Sequence, residues 1–503
     1  MNHVKKYKKY QLWLESHSIL MIFIASFLFA LIGLWIGMQQ SVWFDEAYSI
    51  MVANTSIGQL INLTAVDTHP PLYYIVLKLW ASIFGWSELA LRSLSVIASA
   101  SAVFVGLLLI RRLFDVRSAL ITIPFVMLAP FLLRYAFEIR MYALASLICI
   151  SATFVLILAI ESKNKMRQWI LYSIYAVLVA IGVYTLYYTV LLWLAHFVYL
   201  VWLTKKNKQA CIRSPWLLAY AGSIVLFLPW MPTFISQISN GALAPISQPL
   251  TVENLLGIVS FQFLYRPFWQ LDAIWSLVFI ALISGLIYLG IKAKKKKKKP
   301  EKKYILLLLA YFLIPIIILT IVSIFRPMYV ERYLAHVSIA MILLSAVIVA
   351  IANRNGKLIT RLLSIAVFSI LFAGTVRLVE VGNFNFQRLQ TPQIDSAVAS
   401  IDCSDGQTVL AADPYVAIEL SFYLSDSCDM RFFSETAELS GGYAPLSNSP
   451  KRVFDPASEL SGIDKITYVY YGEPKLNMPV DLSQVSTLSF DSLNVDSYQS
   501  KDR

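Results

Sequence analysis

Charge is what this chain has least of. Asp, Glu, Lys and Arg make up 14% of its 503 residues, against about 25% in soluble domains. Apolar residues reach 58%, and mean hydropathy is +0.65. That balance excludes a soluble enzyme and points to a polytopic membrane protein. Cysteine is sparse too: Cys149 and Cys211 lie in or beside apolar stretches, Cys403 and Cys428 lie in a polar tail, and no Cys/His spacing reads as a zinc site. The sequence has no glycine-rich phosphate loop, no clustered set of metal ligands and no repeat at a solenoid period. A formal charge of +12 would suit nucleic acid. The basic residues, however, fall in short clusters between apolar segments, as cytoplasmic loops do, so nucleic acid is not expected as a partner.

Those clusters order the chain. Lys5, Lys6, Lys8 and Lys9 precede an apolar run ending near Met38. No small-residue cleavage site follows it, so it reads as an uncleaved span. Further spans are expected at about 88–110 and 118–134, then from 142 back to Lys163, then at 168–187, 188–203 and 216–231. The last four are a return ending at Lys292, then 304–323, 331–352 and 358–379. This gives about eleven spans by length and apolarity. The run 294–299 of lysines reads as a positive-inside anchor. With a cytoplasmic N-terminus in the cell (plasma) membrane, an odd number of spans puts the C-terminal tail outside.

On this topology the remaining ionisable side chains collect on the extracytoplasmic face: Asp45, Glu46, Asp67, His69, Glu88, Glu138, Arg140, Arg266, Glu331 and Arg332. Charge near hydrocarbon is costly, so such a gathering suggests a site. The first outer loop, 41–92, is the richest part. Asp45-Glu46 opens a helical pattern, and Pro70-Pro71 opens another of about sixteen residues, too short to span and read as an interfacial helix. Asp45 either caps its helix, with Glu46 favouring the positive end, or takes a proton from an attacking hydroxyl. The segment Asp67-Thr68-His69-Pro70-Pro71 is either a turn leading into a helix or a place where His69 hydrogen-bonds a phosphate or tunes a neighbour's proton affinity. Glu138-Ile139-Arg140, with Tyr142, is either an ion pair at a helix end or a place where Arg140 holds a phosphate oxygen in a fork of donors. Arg326 and Arg332 either snorkel or clamp an anionic headgroup. Taken together, a carboxylate-bearing loop and several arginines on one face favour a phosphate-linked lipid as substrate.

From about Gly382 the chain becomes polar and acidic. A helix at 393–401, strand 408–412, helix 416–424, strand 429–433 and strand 465–471 suggest a small α/β domain. The expected division is therefore 1–381 for the membrane part and 382–503 for an extracytoplasmic domain. Cys403 and Cys428 flank its first strand–helix unit and are a disulfide candidate in an oxidising compartment. This domain either shapes the acceptor opening, contacts an envelope partner, or is a passive cover.

WFDEAYS in the first outer loop, THPPLYYIVLKLW followed by SELALRSLS, the exit FEIRMYAL and the late turn RPMYVERYL resemble the bacterial branch of glycosyltransferase family 39. That family belongs to the membrane GT-C superfamily, with the protein O-mannosyltransferases and the aminoarabinose transferases. The resemblance runs from about Asn2 to Val379. It implies an inverting, mannosyltransferase-like enzyme that moves a sugar from a polyprenyl-phosphate donor to a hydroxyl on a protein, polysaccharide or lipid, among membrane lipids. Asp45 matches the family's general base, with Glu46 as the supporting carboxylate. Arg140, Arg326 and Arg332 match candidates for stabilising the leaving phosphate. Asp67, His69, Tyr73, Glu138, Tyr142, Arg266 and Tyr333 join them as substrate-binding candidates. Thr68-His69 departs from the Glu-Lys that precedes the double proline in the aminoarabinose transferases. No cofactor is implied, although a divalent cation is compatible with the superfamily.

Each rival reading has a distinguishing feature. An oligosaccharyltransferase would carry a Trp-Trp-Asp signature, which the sequence lacks. A transporter or flippase of lipid-linked sugar would place ionisable or helix-breaking residues at the midplane of several spans, whereas these charges sit at span ends. A membrane-anchored envelope-binding protein would need only one span.

Overall fold

The computed structural model describes residues 2–207, 214–240, 251–265, 272–292, 302–381, 393–403, 407–436 and 438–501. Arg266, Cys211 and the lysine run 294–299 lie outside them. The chain forms two compact units: Met1–Trp35, Arg92–Ser236 and Leu243–Glu380 make the first, and Ile36–Leu91, Gln237–Ala242 and Val381–Arg503 the second. This differs from a single cut after residue 381, because the first outer loop groups with the tail. Hydrogen bonds within this unit join residues 41–44 and 88 to residues 395, 419 and 423.

The first unit is helical. Among the described residues ten helical stretches are long and apolar enough to cross a membrane, from Leu12–Gly37 to Leu358–Glu380. They match ten of the expected spans. The remaining one, about 118–134, is broken into helices Val116–Met127 and Pro130–Arg134. Proline disfavours helical backbone in the residue before it, and Ala129 is accordingly extended, with φ −88° and ψ 99°. Neither piece alone reaches the roughly twenty residues that a span needs, and together they fill 116–134, the segment expected as the eleventh span.

Burial separates the spans by role. The window in Glu331–Ala352 is 89% buried, whereas those in Ile274–Lys292, Lys302–Phe325 and Leu358–Glu380 are 22–28% buried, as expected of a central helix and a lipid-facing ring. Small residues allow close approach. A Cβ on Gly374 would fall 2.0 Å from the Phe263 carbonyl oxygen, so only glycine fits there. At the basic ends of the helices, Arg112 pairs with Glu161 at 2.7 Å and Arg354 with Asp115 at 2.6 Å, while Tyr304 donates to Glu161. Inside the unit, the His196 ring nitrogens lie 3.1 Å from Thr153 Oγ1 and from Tyr175 Oη. This buried histidine is thus a satisfied core group.

In the second unit the first outer loop forms three helices where two were expected: Phe44–Asn54, Ile57–Ala65 and Leu72–Phe84. Ser56 makes the extra break by capping the second helix, its Oγ accepting from Gln59 N at 3.3 Å. The third helix begins after the double proline and exposes Leu79, Ile83 and Phe84. It is a short apolar helix, as the interfacial reading requires.

The tail is a six-stranded sheet: β1 (Thr408–Ala411), β2 (Asp429–Phe433), β3 (Arg452–Val453), β4 (Lys465–Tyr471), β5 (Leu482–Phe490) and β6 (Leu493–Ser500). Its order is β3-β2-β1-β4-β6-β5. β3, β2, β1 and β4 run parallel, and the β5–β6 hairpin is antiparallel. Helix Pro414–Tyr423 is the crossover from β1 to β2. Leu410, Val453, Leu460, Ile466, Tyr468 and Tyr470 form the core on one face of the sheet.

Cys403 and Cys428 form a disulfide, with Cα atoms 5.0 Å apart, tying the approach to β1 to the approach to β2. A closed loop of this length restricts the unfolded chain by on the order of 3 kcal/mol. Changing both cysteines to serine is expected to lower the stability of the tail by about that amount. Thermal unfolding with and without reductant checks this: the reductant-sensitive shift present in the wild type should be missing from the variant.

Candidate functional site

The site residues fall into two groups, one in each unit. In the second unit, Asp45 and Glu46 occupy the first turn of helix Phe44–Asn54. Their surroundings differ although they are adjacent. Glu46 is fully buried and its Oε2 accepts from Trp43 N at 3.4 Å, so it supplies the helix start that Trp43 cannot cap. Asp45 is only half-buried. Ser49 Oγ donates to the Asp45 carbonyl at 2.8 Å, and Lys78 Nζ donates to the Ala53 carbonyl at 3.3 Å, where positive charge suits a helix C-terminus.

Asp67 and His69 are both buried in the turn before the double proline. Gln237 holds this turn, its Nε2 donating to the carbonyls of Thr64 at 2.9 Å and Asp67 at 2.6 Å. Tyr73 is buried at the start of the next helix, edge-on to Tyr74 at 5.7 Å between ring centroids. Tyr74 also meets Tyr48 edge-on at 6.2 Å, joining the double-proline helix to the Asp45 helix.

The lead-in to the Asp45 helix is held by the tail. Val42 N donates to Tyr423 Oη at 2.7 Å, and Phe44 N donates to Glu419 Oε1 at 3.2 Å. Tyr423 Oη donates to Glu88 at 3.0 Å, and Ser41 Oγ donates to Asp395 at 2.6 Å. The Phe44 ring stacks on Tyr415 with centroids 4.4 Å apart, and Tyr443 meets its edge at 5.6 Å. Burial, together with the Asp413 and Glu419 carboxylates, pushes the Tyr443 phenol above its ordinary pKa.

The first unit contains the arginines. Arg134 and Glu138, both nearly inaccessible, pair at 3.4 Å. The guanidinium of Arg134 lies over Tyr135 at 4.9 Å, and Arg92 lies 5.8 Å from the centroid of Phe137. Ser95 Oγ donates to the Glu138 carbonyl, and so does Arg140 N at 2.7 Å, which fixes the turn. Arg92, Arg134, Arg140 and Glu138 are all buried and carry three positive charges against one negative. The phenol of Tyr135 lies in the electrostatic range of Arg134, Glu138, Tyr142 and Arg332, and burial is what pushes its pKa up.

Arg332 is half-buried over the Tyr333 ring at 5.8 Å. Tyr333 is buried, its ring tilted against that of Tyr188 with centroids 4.6 Å apart, and Tyr188 Oη donates to the Met328 carbonyl at 3.1 Å. Arg326 is exposed just after the end of helix Lys302–Phe325. The structure therefore gathers Glu138, Arg140, Tyr142, Arg332 and Tyr333 in the first unit, and Asp45, Glu46, Asp67, His69 and Tyr73 in the second. Two cations escaped the sequence reading, Arg92 and Arg134, because an arginine at the end of an apolar run also reads as a topology marker. The usable signal was Arg92 inside the apolar period of ELALRSLS, since charge within a span is seldom idle.

Residues 68–232 match a family model described as dolichyl-phosphate-mannose-protein mannosyltransferase. No curated protein matches the chain in sequence. Among solved structures, ArnT from Cupriavidus metallidurans bound to undecaprenyl phosphate superposes with a TM-score of 0.61 and 13% identity, covering 96% of this chain and 98% of that one. Its apo state gives 0.57 and 11%, covering 95% and 97%. The fold is GT-C. The family 39 resemblance of the sequence and the whole-chain superposition thus agree, and the match takes in the tail as well as the spans. In this GT-C fold the buried Arg134–Glu138 pair has a measurable consequence. Arg134→Met is expected to destabilise the protein by about 3–5 kcal/mol, and adding Glu138→Leu should restore part of the loss. Unfolding in detergent of the two single variants and the double variant checks this.

Proposed function

We propose that this GT-C protein is an inverting glycosyltransferase working on the extracytoplasmic face of the cell membrane, with a polyprenyl-phosphate-linked sugar as donor and a hydroxyl as acceptor. The observation that carries this reading is the unequal burial of the Asp45-Glu46 pair in the first helical turn: Glu46 is fully buried with Oε2 facing the Trp43 amide, while Asp45 is partly accessible. The family model and the fold of undecaprenyl-phosphate-bound ArnT support the donor class.

In the reaction, the acceptor oxygen attacks the anomeric carbon, the bond from that carbon to the phosphate oxygen breaks, and configuration inverts. The acceptor proton passes to Asp45. Polyprenyl phosphate leaves with its electron pair. Arg92, Arg134, Arg140 and Arg332 are assigned to the charge that grows on it, since planar guanidinium donors match phosphate oxygens. Because a phosphate is already the leaving group, the chemistry calls for no further cofactor.

The test incubates the purified protein in nanodiscs with radiolabelled polyprenyl-phosphate mannose, or other polyprenyl-phosphate sugars, and a membrane extract as acceptor pool. Label should move from lipid to acceptor in the wild type. Asp45→Asn should lose about 10²–10⁴ of that rate, the usual worth of a general base. Glu46→Gln, which keeps an oxygen facing Trp43 N, should lose far less. Wild-type transfer by Asp45→Asn would remove Asp45 as base, and neither transfer nor binding of any donor would overturn the enzyme reading.

A further inference from the structure

Three consecutive backbone N–H groups lead into the Asp45 helix, and each has an acceptor. Val42 N is received by Tyr423 Oη, Trp43 N by Glu46 and Phe44 N by Glu419. Only Glu46 is local. The other two acceptors lie one helical turn apart on the tail helix Pro414–Tyr423, on one face of it, and Glu419 is 375 residues from Phe44.

Glu419 is not a surface carboxylate that happens to reach across. It is 1% exposed, and its second oxygen accepts from Tyr471 Oη on β4 at 2.7 Å. A carboxylate removed from water is costly unless charge or donors compensate, and the positive end of a helix plus a phenol supply that compensation. A passive cover would bury apolar groups at such a contact. Here the tail instead spends a buried charge on the residue immediately before Asp45, so it fixes the backbone direction from which the Asp45 side chain departs. The stacked Phe44–Tyr415 rings and the Ser41–Asp395 bond limit the same segment on either side.

We infer that Glu419, seconded by Tyr423, is a positioning residue for Asp45: the tail sets the aim of the catalytic carboxylate through the backbone of residues 42–44. This rests on the reading of Asp45 as the general base. Asp45 touches the acceptor, and Glu419 acts only through it. Small misplacement of a reacting group can cost about 10²-fold in rate, which sets the size of the expected effect.

The experiment uses the full-length protein in nanodiscs with the transfer assay. Glu419→Ala should lower kcat by about 10–100-fold while KM for the donor moves little. Glu419→Gln, which still offers an oxygen to Phe44 N and a hydrogen-bonding group to Tyr471, should restore most of the rate. Tyr423→Phe should show a milder loss of the same kind. Amide hydrogen exchange supplies a readout independent of turnover: Phe44 should lose protection in Glu419→Ala and keep it in Glu419→Gln.

The double variant Asp45→Asn/Glu419→Ala should be no slower than Asp45→Asn alone. Wild-type kcat in Glu419→Ala, equal losses in Glu419→Gln and Glu419→Ala, or multiplicative losses in the double variant would each overturn the positioning role. Failure of the underlying reading looks different: Asp45→Asn would then transfer sugar at the wild-type rate, whatever Glu419→Ala does.

Discussion

A charge taken out of water must find compensation or it destabilises the fold by several kcal/mol. In this chain the polar architecture follows from how that compensation is arranged. The first unit buries Arg92, Arg134, Arg140 and Glu138 around one short turn, where an ion pair, aromatic faces and backbone groups hold them. The second unit buries Glu46 and Glu419, and both are compensated by backbone N–H groups at the same helix start. In a protein this poor in charge, such placements are not background. Each marks a segment whose conformation is held more tightly than apolar packing alone would hold it.

The spans were legible because hydrocarbon imposes a length and a composition that ten of the segments plainly meet. The 118–134 segment meets the composition, but Pro130 at its far end breaks the helix, an effect that apolarity does not register. Strands β1, β2 and β4 could be read from their apolar character. The β5–β6 hairpin could not, because LSQVSTLSF is mostly exposed and polar, and its turn puts Asp491 at φ 55° without the glycine that usually signals such a turn.

The candidate residues divide in the same way. Asp45, Glu46, Glu138 and Arg140 stood out as ionisable groups between apolar runs, and local sequence suffices to see that. The unequal burial of Asp45 and Glu46 shows only in the geometry, since capping and catalysis ask for the same residue type in the same place. Glu419 lies in the interior of an unremarkable, mostly apolar helical stretch, and its partner at Phe44 is too distant in sequence for any local pattern to reveal. The grouping of residues 36–91 with the tail was hidden for the same reason: hydrogen bonds between distant segments leave no trace in composition.

The long separation between Phe44 and Glu419 also sets an order of events during biosynthesis. A ribosome completes residues 36–91 long before residue 419 exists, and domains generally fold in the order in which they are made. Two of the three acceptors for the lead-in amides arrive with the last sixth of the polypeptide, and Glu419 is itself fixed by Tyr471, later still. The Asp45 helix therefore waits through most of translation with an unfinished start. A nascent chain, or one cut short before the tail sheet closes, would carry every membrane span and still have the Asp45 segment unlocked.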